Sequence, residues 1–411
     1  MARVFLIIFG EDFEMSNFHD RLRGMFLLGA YGDALGAEHE KSPDIAQAPF
    51  PKPLQPRRML EQGFHWGTWL PNTVVASEIG VPTDDTCYRL FILHPWLQEI
   101  VKGNRRFTEE SFREFMLELK ERSAQPSWIK LPRDNQINAW LFEFNAQKET
   151  NSCGGFFSHD SPVIFGLFMY LETGAIIRGM ASKSIYSLFK GFSRLDQRYA
   201  TSATAFMTTL LSKAIEYNSI GKSFDKWFFD QSFNLIVELQ ETFPNDVDLE
   251  IIKSLFLLMK KLGSEYRGLP EEVFVKAFKE QVIEPDNPPF MRESFSKWFG
   301  GNFDPFRFLA QIVATVEFSA GDPALALRSI AYSFGDTDTI ATFLGSLMGV
   351  WYGEQQLRNL DTPGLVFNDE LTIVENVLEK IFSIDLDERA RLFESLRFLD
   401  IANLMLHNTV L

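Results

Sequence analysis

The sequence predicts an all-α protein. Apolar residues recur at the helical spacing i, i+3, i+7 and i+10, and one such series is Ile252, Leu255, Met259 and Leu262. This helical pattern continues from residue 195 to about residue 334. We find no segment of alternating apolar and polar residues that would indicate a strand, and no internal repeat. The 411 residues allow one large domain or two to three ordinary ones.

The composition is that of a globular protein with an acidic surface. Hydrophobic residues make up 45% of the chain and charged residues 23%, which is enough apolar material for a core. The formal charge is −15, so neither a nucleic acid nor an anionic membrane is expected as the main partner. No apolar stretch reaches the ~18 residues that a membrane span needs. The oligomeric state stays open, with a monomer as the default.

Cysteine usage indicates a reducing compartment. Only Cys87 and Cys153 occur, so neither a disulfide framework nor a Cys-rich zinc site can be built. We therefore expect the cytoplasm, or the interior of a host cell into which the protein is delivered, and the sequence does not distinguish the two.

The first well-defined helix is predicted over residues 19–36. Gly32 and Gly36 lie four residues apart, so a neighbouring backbone can approach that face closely. Each glycine costs roughly 1 kcal/mol of helix propensity relative to alanine, which close packing at the centre of a bundle can recover. Asp33 lies among these small residues, either as a hydrogen-bonded core aspartate or as support for a metal site. The segment that follows, residues 41–75, is rich in proline and is predicted as a loop.

A second helix is predicted to begin within the segment Thr83-Asp84-Asp85-Thr86. Pro82 precedes it and Thr83 is a natural N-cap. Two acids in a first helical turn also interact favourably with the helix dipole. A helix start therefore explains this segment by itself, and a metal site is the alternative.

Two further segments lie between this helix and the helical second half. An amphipathic helix is predicted from Thr108, with apolar positions at Phe112, Phe115, Met116 and Leu119. A polar loop then contains Gly154 and Gly155 and precedes an apolar run. Backbone amides of such a loop can bind a phosphate at a helix N-terminus, although a plain connecting loop explains the pattern equally well.

The last acidic segment is Gly335-Asp336-Thr337-Asp338-Thr339, directly before an uncharged apolar run from Ile340 to Gly353. Two carboxylates so close in sequence repel each other, and a divalent cation offsets that repulsion because hard cations prefer carboxylate and hydroxyl oxygens. Other acidic sites do not fit. A calcium-binding EF-hand needs an acid at its twelfth position, which is Leu347, and a helical isoprenoid synthase needs one at Tyr88.

Together these motifs resemble the ADP-ribosylglycohydrolase family of helical, magnesium-dependent enzymes. The similarity is carried by Gly32-Asp33-Ala34-Leu35-Gly36, Thr83-Asp84-Asp85-Thr86 and Gly335-Asp336-Thr337-Asp338-Thr339, in that order. The resemblance implies an orthogonal all-α bundle with a binuclear metal cleft. It covers residues 18–353, and we expect residues 354–411 to form a C-terminal helical extension packed on that domain.

The resemblance also implies the site. The ligands of two Mg²⁺ ions would be Thr83, Asp84, Asp85, Asp336, Asp338 and Thr339. Candidates for the carboxylate that accepts the proton are Glu40, Asp85 and Asp338, with Glu40 and Asp338 favoured. The residues that would contact the nucleotide are Gly154, Gly155, Ser158 and His159.

Two departures from the family pattern lie on the nucleotide side. The family's third motif usually carries an Asn-Gly pair and later an arginine, whereas this chain has Gly154-Gly155 and His159. The family's Thr-His pair is also absent, and Ser193-Arg194 stands in its place. Metal chemistry is therefore expected to be intact, with substrate recognition altered.

The predicted function is hydrolysis of the bond between ADP-ribose and a protein side chain or a small molecule. One alternative on the same fold is a catalytically silent protein that binds ADP-ribose or serves a structural role. Another is a partner-binding protein, such as an immunity factor that occludes a toxin. Retention of the clustered acids favours the enzyme, because a structural protein gains nothing from carboxylates that repel one another.

Overall fold

The computed structural model describes residues 2–36, 84–123, 167, 170–191, 199–217, 221–283, 304–333, 335–360, 367–380 and 384–397. Within these ranges every regular element is helical, which confirms the predicted all-α class. None of the helices in this part of the chain combines the length and apolar character that crossing a bilayer requires.

The helices follow one another along the chain with three short π- or 3₁₀-helical segments among them. In order they are α1 (Ala2–Gly36), α2 (Asp84–Tyr88), a π-helical turn (Arg89–Leu93), α3 (His94–Val101), α4 (Glu109–Ser123), a 3₁₀ turn (Glu172–Ala175), α5 (Ser182–Lys190), α6 (Tyr199–Glu216), α7 (Phe224–Thr242), α8 (Val247–Tyr266), α9 (Glu271–Phe278), a second π-helical turn (Lys279–Ile283), α10 (Pro305–Phe318), α11 (Pro323–Ala331), α12 (Thr337–Tyr352), α13 (Glu354–Arg358), α14 (Phe367–Lys380) and α15 (Leu386–Arg397).

Helices α1 and α12 form an antiparallel pair whose backbones touch. A Cβ atom at Gly32 would overlap the Ala341 carbonyl, and one at Gly349 would overlap the Gly24 carbonyl. A Cβ atom at Gly36 would overlap the backbone of Asp338. The glycine spacing therefore gives the close approach that the sequence predicted, and it brings the end of α1 against the start of α12.

The helical series in the second half of the chain also forms as predicted. Ile252 and Leu255 are fully buried on α8, and Met259 and Leu262 are only 5% exposed. This face of α8 packs on α10, where a Cβ atom at Gly263 would overlap the Ala314 carbonyl. The same core includes a stacked pair of rings, Phe274 and Phe318, with centroids 4.2 Å apart.

Helix α1 begins earlier than the predicted start at residue 19. It already begins at Ala2, which makes it 35 residues long. The segment before His19 contains no proline and includes good helix formers such as Glu11, Glu14 and Met15, so nothing in it stops the helix.

One arginine of α1 forms ion pairs with each of the three helices α13, α14 and α15. The Arg23 guanidinium of α1 pairs with Glu354 of α13, with Glu375 of α14 at 2.8 Å and with Asp387 of α15 at 2.7 Å. Its side chain is 16% exposed, so these ion pairs are partly shielded from water. Helix α15 also contacts α3, next to the helix that carries Asp85.

Candidate metal centre

The site is built where the last turn of α1 meets the first turn of α12. Asp33 lies on α1 between Gly29 and Gly36, on the face that packs against α12. Asp338 lies in the first turn of α12, whose N-terminus is held by a hydrogen bond from the Thr337 hydroxyl to the Gly36 carbonyl (2.9 Å). The antiparallel glycine contact therefore places two aspartates side by side.

The start of α2 is the third segment that forms the site, beside the end of α1 and the start of α12. The backbone N–H of Thr86 donates a hydrogen bond to Asp33 Oδ2, at 2.9 Å. This N–H belongs to the first turn of α2, where no intrahelical acceptor exists for it. Asp33 thus fixes α2 against α1, and Asp85, the residue before Thr86, is carried to the same place.

The carboxylates of Asp33, Asp85 and Asp338 come together in the interior. Each offers an oxygen, and these oxygens all lie within 4.8 Å of one another. The three residues are 0%, 2% and 3% exposed, respectively. Three ionised carboxylates this close and this buried repel strongly, since water screens them little. A bound cation at this position would offset that repulsion.

The Thr339 hydroxyl bridges this cluster to Asp336. Its Oγ1 lies 3.0 Å from Asp85 Oδ2 and 2.9 Å from Asp336 Oδ1. A hydroxyl has a single hydrogen to donate, so it serves one of the two carboxylates at a time. The Thr339 backbone N–H, in turn, donates to Asp338 Oδ1 at 2.8 Å. Thr339 therefore contacts three carboxylates and holds them at the N-terminal turn of α12.

Among the described residues, fixed positive charge lies near the cluster at two helix N-termini and at one arginine. The N-termini of α2 and α12 both point into the site, and each carries a partial positive charge. The Arg307 guanidinium of α10 is buried near Asp304 and Asp336, and burial lowers its pKa to about 10 while these two carboxylates oppose the shift. Arg307 is thus charged at neutral pH, but one guanidinium is fewer than the four aspartates.

The structure brings four of the predicted site residues together and leaves the others outside its description. Asp85, Asp336, Asp338 and Thr339 lie in the cluster. The predicted residues outside the described part, or described without a side chain, are Glu40, Thr83, Asp84, Gly154, Gly155, Ser158 and His159. Their assignments stay predictions.

From the sequence alone the role of Asp33 stays open, and this residue is not among the predicted metal ligands. The structure puts its carboxylate in the cluster itself, with one oxygen also holding the start of α2. A signal for this position exists in the sequence. Asp33 lies between Gly29 and Gly36 on one helix face, so the face that meets another backbone carries one buried charge.

Comparison with known proteins places these observations in a family. The family model described as ADP-ribosylglycohydrolase matches residues 14–378. Among solved structures, one titled "ADP-ribosylglycohydrolase-related protein complex" is similar to this chain at 18% sequence identity. The aligned region covers 93% of this chain and 98% of the chain in that structure, with a TM-score of 0.47. No curated protein matches the chain.

Proposed function

The chain belongs to the ADP-ribosylglycohydrolase family, and from this premise we propose that it removes ADP-ribose by hydrolysis. The substrate is a modified protein side chain or a small ADP-ribosyl compound, and two Mg²⁺ ions assist the cleavage. The observation that carries the proposal is the buried cluster of Asp33, Asp85 and Asp338, whose oxygens lie within 4.8 Å of one another.

The donor set fits a hard divalent cation. Carboxylate and hydroxyl oxygens are the ligands that Mg²⁺ prefers, whereas a structural zinc site uses cysteine and histidine. In the described part of the chain, these aspartates form the one group of three His, Cys, Asp or Glu side chains close enough to share an ion. The residues that would hold the metal are Asp33, Asp85, Asp336, Asp338 and Thr339, with Thr83 and Asp84 added from the family resemblance.

The reaction exchanges one bond at the anomeric carbon of the ribose. A water oxygen bonds to that carbon, the glycosidic bond to the nitrogen or oxygen of the leaving group breaks, and the proton released from water ends on the leaving group. Bound Mg²⁺ would polarise the ribose hydroxyls and lower the pKa of the attacking water. A carboxylate of the site accepts the proton first, and the candidates are Glu40, Asp85 and Asp338.

The chain's own residues prepare this site by fixing its carboxylates before substrate arrives. Asp338 Oδ1 accepts a hydrogen bond from the Thr339 backbone N–H, which fixes the orientation of this carboxylate at the start of α12. Asp33 Oδ2 is engaged by the Thr86 N–H, which sets the rotation of α2 and hence of Asp85. Carboxylates held in this way need little reorganisation during the reaction, which is how a preorganised site lowers a barrier.

The recognition of the nucleotide is proposed from the family resemblance. The Gly154-Gly155 segment would bind the diphosphate through backbone amides, and His159 would take the place of the family's arginine. Residues 18–353 would carry the whole site, and residues 354–411 would form an extension on it. We propose a cytoplasmic or host-delivered location, with neither nucleic acid nor membrane as the main partner.

The test is release of free ADP-ribose from a panel of ADP-ribosylated proteins with arginine, serine and other linkages. Each substrate is incubated with wild-type protein in magnesium and in EDTA, and with Asp338→Ala. Asp230→Asn, an exposed residue on α7, serves as the control for loss of an acidic charge.

We expect magnesium-dependent release from at least one linkage, lost in Asp338→Ala and retained in Asp230→Asn. Absence of release from every substrate, with ADP-ribose still bound, would contradict hydrolysis. That result would favour the catalytically silent alternative and direct attention to the altered Gly154–His159 segment.

A further inference from the structure

A second buried cluster of charged side chains lies beside the metal centre. It consists of Arg89 in the π-helical turn, Glu172 in the 3₁₀ turn and Arg389 on α15. These residues are 3%, 2% and 1% exposed. Three buried charges are costly unless they are paired and hydrogen-bonded, so their arrangement calls for a physical explanation.

Glu172 joins the two arginines. Its Oε1 accepts a hydrogen bond from Arg89 Nη1 at 2.9 Å, and its Oε2 pairs with Arg389 Nη2. Burial alone would raise the pKa of Glu172, but the two guanidinium groups outweigh it and lower this pKa below the usual value. The carboxylate is therefore charged at neutral pH, and it links α15 to the helix that carries Asp85.

Arg389 also holds the backbone of the π-helical turn. Its Nη1 donates to the Arg89 carbonyl at 3.1 Å, and the same carbonyl accepts the N–H of His94, five residues along the chain. A π-turn is wider than an α-turn and is favoured only where its surroundings support it. Arg89 follows Asp85 by four residues, about one helical turn, so support at Arg89 is transmitted to Asp85.

This charged cluster also contacts α12, the helix that supplies Asp338 to the metal centre. Arg89 Nη1 lies 3.0 Å from Ser346 Oγ of α12, the helix that begins with Asp338. Gly29 of α1 makes the space for this contact, because a Cβ atom there would lie 2.5 Å from Ser346 Oγ and 3.3 Å from Arg89 Nη1. The Arg89 guanidinium thus connects the π-helical turn that follows α2, the helix of Asp85, to α12, the helix of Asp338.

We propose that Arg389 is a positioning residue for the metal centre, acting through Glu172 and the Arg89 carbonyl to fix Asp85 relative to Asp338. The inference rests on the proposed function, since it assumes that these aspartates bind a divalent ion. The family match ends at residue 378, so Arg389 lies in a part of the chain that the family model does not describe. Helix α15 is thereby part of what shapes the site.

The experiment measures Mn²⁺ affinity by electron paramagnetic resonance of the free ion, on the full-length protein. The variants are Arg389→Met, which removes the charge and keeps the stem, and Arg389→Lys, which keeps the charge without the planar fork. The matched control is Arg391→Met on the same helix, whose exposed side chain pairs with Asp385 at 3.8 Å. Circular dichroism establishes that each variant is folded at the temperature used, and kcat and KM are measured separately.

We expect Arg389→Met to raise the Kd for Mn²⁺ by about tenfold or more, as loss of a group that orients metal ligands does. Arg389→Lys should raise it by about threefold or more, and Arg391→Met should leave it within about twofold of wild type. The loss of activity should lie in kcat and be partly restored by excess metal. A role in stability alone would lower the melting temperature and leave the metal Kd unchanged.

A Kd within about twofold of wild type in folded Arg389→Met would overturn the inference, and so would failure of both Arg389 variants to fold. If Arg389→Met alone is unfolded, Arg389→Lys decides by the same criterion. If wild-type protein binds no Mn²⁺, or if Asp338→Ala binds Mn²⁺ as tightly as wild type does, the proposed metal centre is overturned and this inference with it. Intact binding in all arginine variants, lost in Asp338→Ala, would overturn the inference alone.

Discussion

The contact between α1 and α12 is the feature on which the site geometry depends, and Gly349→Ala tests it. The added Cβ atom would overlap the Gly24 carbonyl and approach the Met25 Cα, and both are backbone atoms that move only if the helices separate. Overpacking of this kind costs about 3 kcal/mol, at the upper end of the usual range because no side chain can yield. Alanine recovers about 1 kcal/mol of helix propensity. The net expectation is a loss of about 2 kcal/mol.

The assay is urea denaturation followed by far-UV circular dichroism, with the midpoint and slope compared between variants. Gly191→Ala is the matched control, because Gly191 directly follows α5 with an ordinary φ of −75° and its nearest neighbours lie 3.3 and 3.4 Å from the added Cβ. It should be neutral or stabilise by up to about 1 kcal/mol. A Gly349→Ala variant as stable as wild type, or more stable, would refute the backbone contact.

Two further predictions concern the site and its support. Thr339→Val removes the hydroxyl that lies 3.0 Å from Asp85 and 2.9 Å from Asp336. Titration calorimetry should therefore show an Mg²⁺ affinity about tenfold weaker than that of wild type, while Thr339→Ser, which keeps the hydroxyl, should stay within a few-fold of wild type. Equal Mg²⁺ affinity in the two variants would contradict the role of the hydroxyl. Burial and the nearby charge of Arg389 lower the pKa of His94 to about 3. Neutral His94 therefore contributes fully to the free energy of unfolding above pH 6.5. This contribution is lost as the pH falls from 6.5 toward 3, because the imidazole takes up a proton in the unfolded chain and not in the folded one. Between pH 8 and pH 5 the unfolding free energy of wild type should fall by about 2 kcal/mol more than that of His94→Gln. Parallel pH profiles of the two proteins would show that His94 is not held neutral in the fold.

Much of the fold follows from local patterns that sequence shows directly. The spacing of Gly32 and Gly36 on α1 predicts a close backbone neighbour because only glycine leaves room for it, and the structure shows α12 in that place, in contact from Gly24–Gly349 to Gly36–Asp338. The apolar series on α8 likewise predicts a buried helix face. The early start of α1 was missed because no capping residue marks it, and a helix without a cap has no sharp sequence signal.

The sequence singles out most of the acids that cluster in the structure, but not the residues that hold them in place. Asp85, Asp336 and Asp338 stand out because paired acids in a helix start are chemically distinctive. The assignment of Asp33 to the cluster depends on the pairing of α1 with α12, which the local pattern does not specify. Arg389 and Glu172 are separated by 217 residues in sequence, and no local pattern relates two isolated charged residues at that distance. Only the packed structure shows that they meet.

We propose that the buried aspartates bind the divalent ion on which ADP-ribose hydrolysis depends. The most direct test of this proposal is the rate of ADP-ribose release as a function of free Mg²⁺ concentration, for wild type and for Asp338→Asn, on the best substrate of the panel. Asparagine keeps the size of the side chain and removes its charge. We expect the rate to rise saturably with Mg²⁺ in wild type and to be lower by at least about 100-fold in the variant, with the circular dichroism spectrum unchanged. Release that is insensitive to EDTA, or a fully active Asp338→Asn, would contradict the proposal.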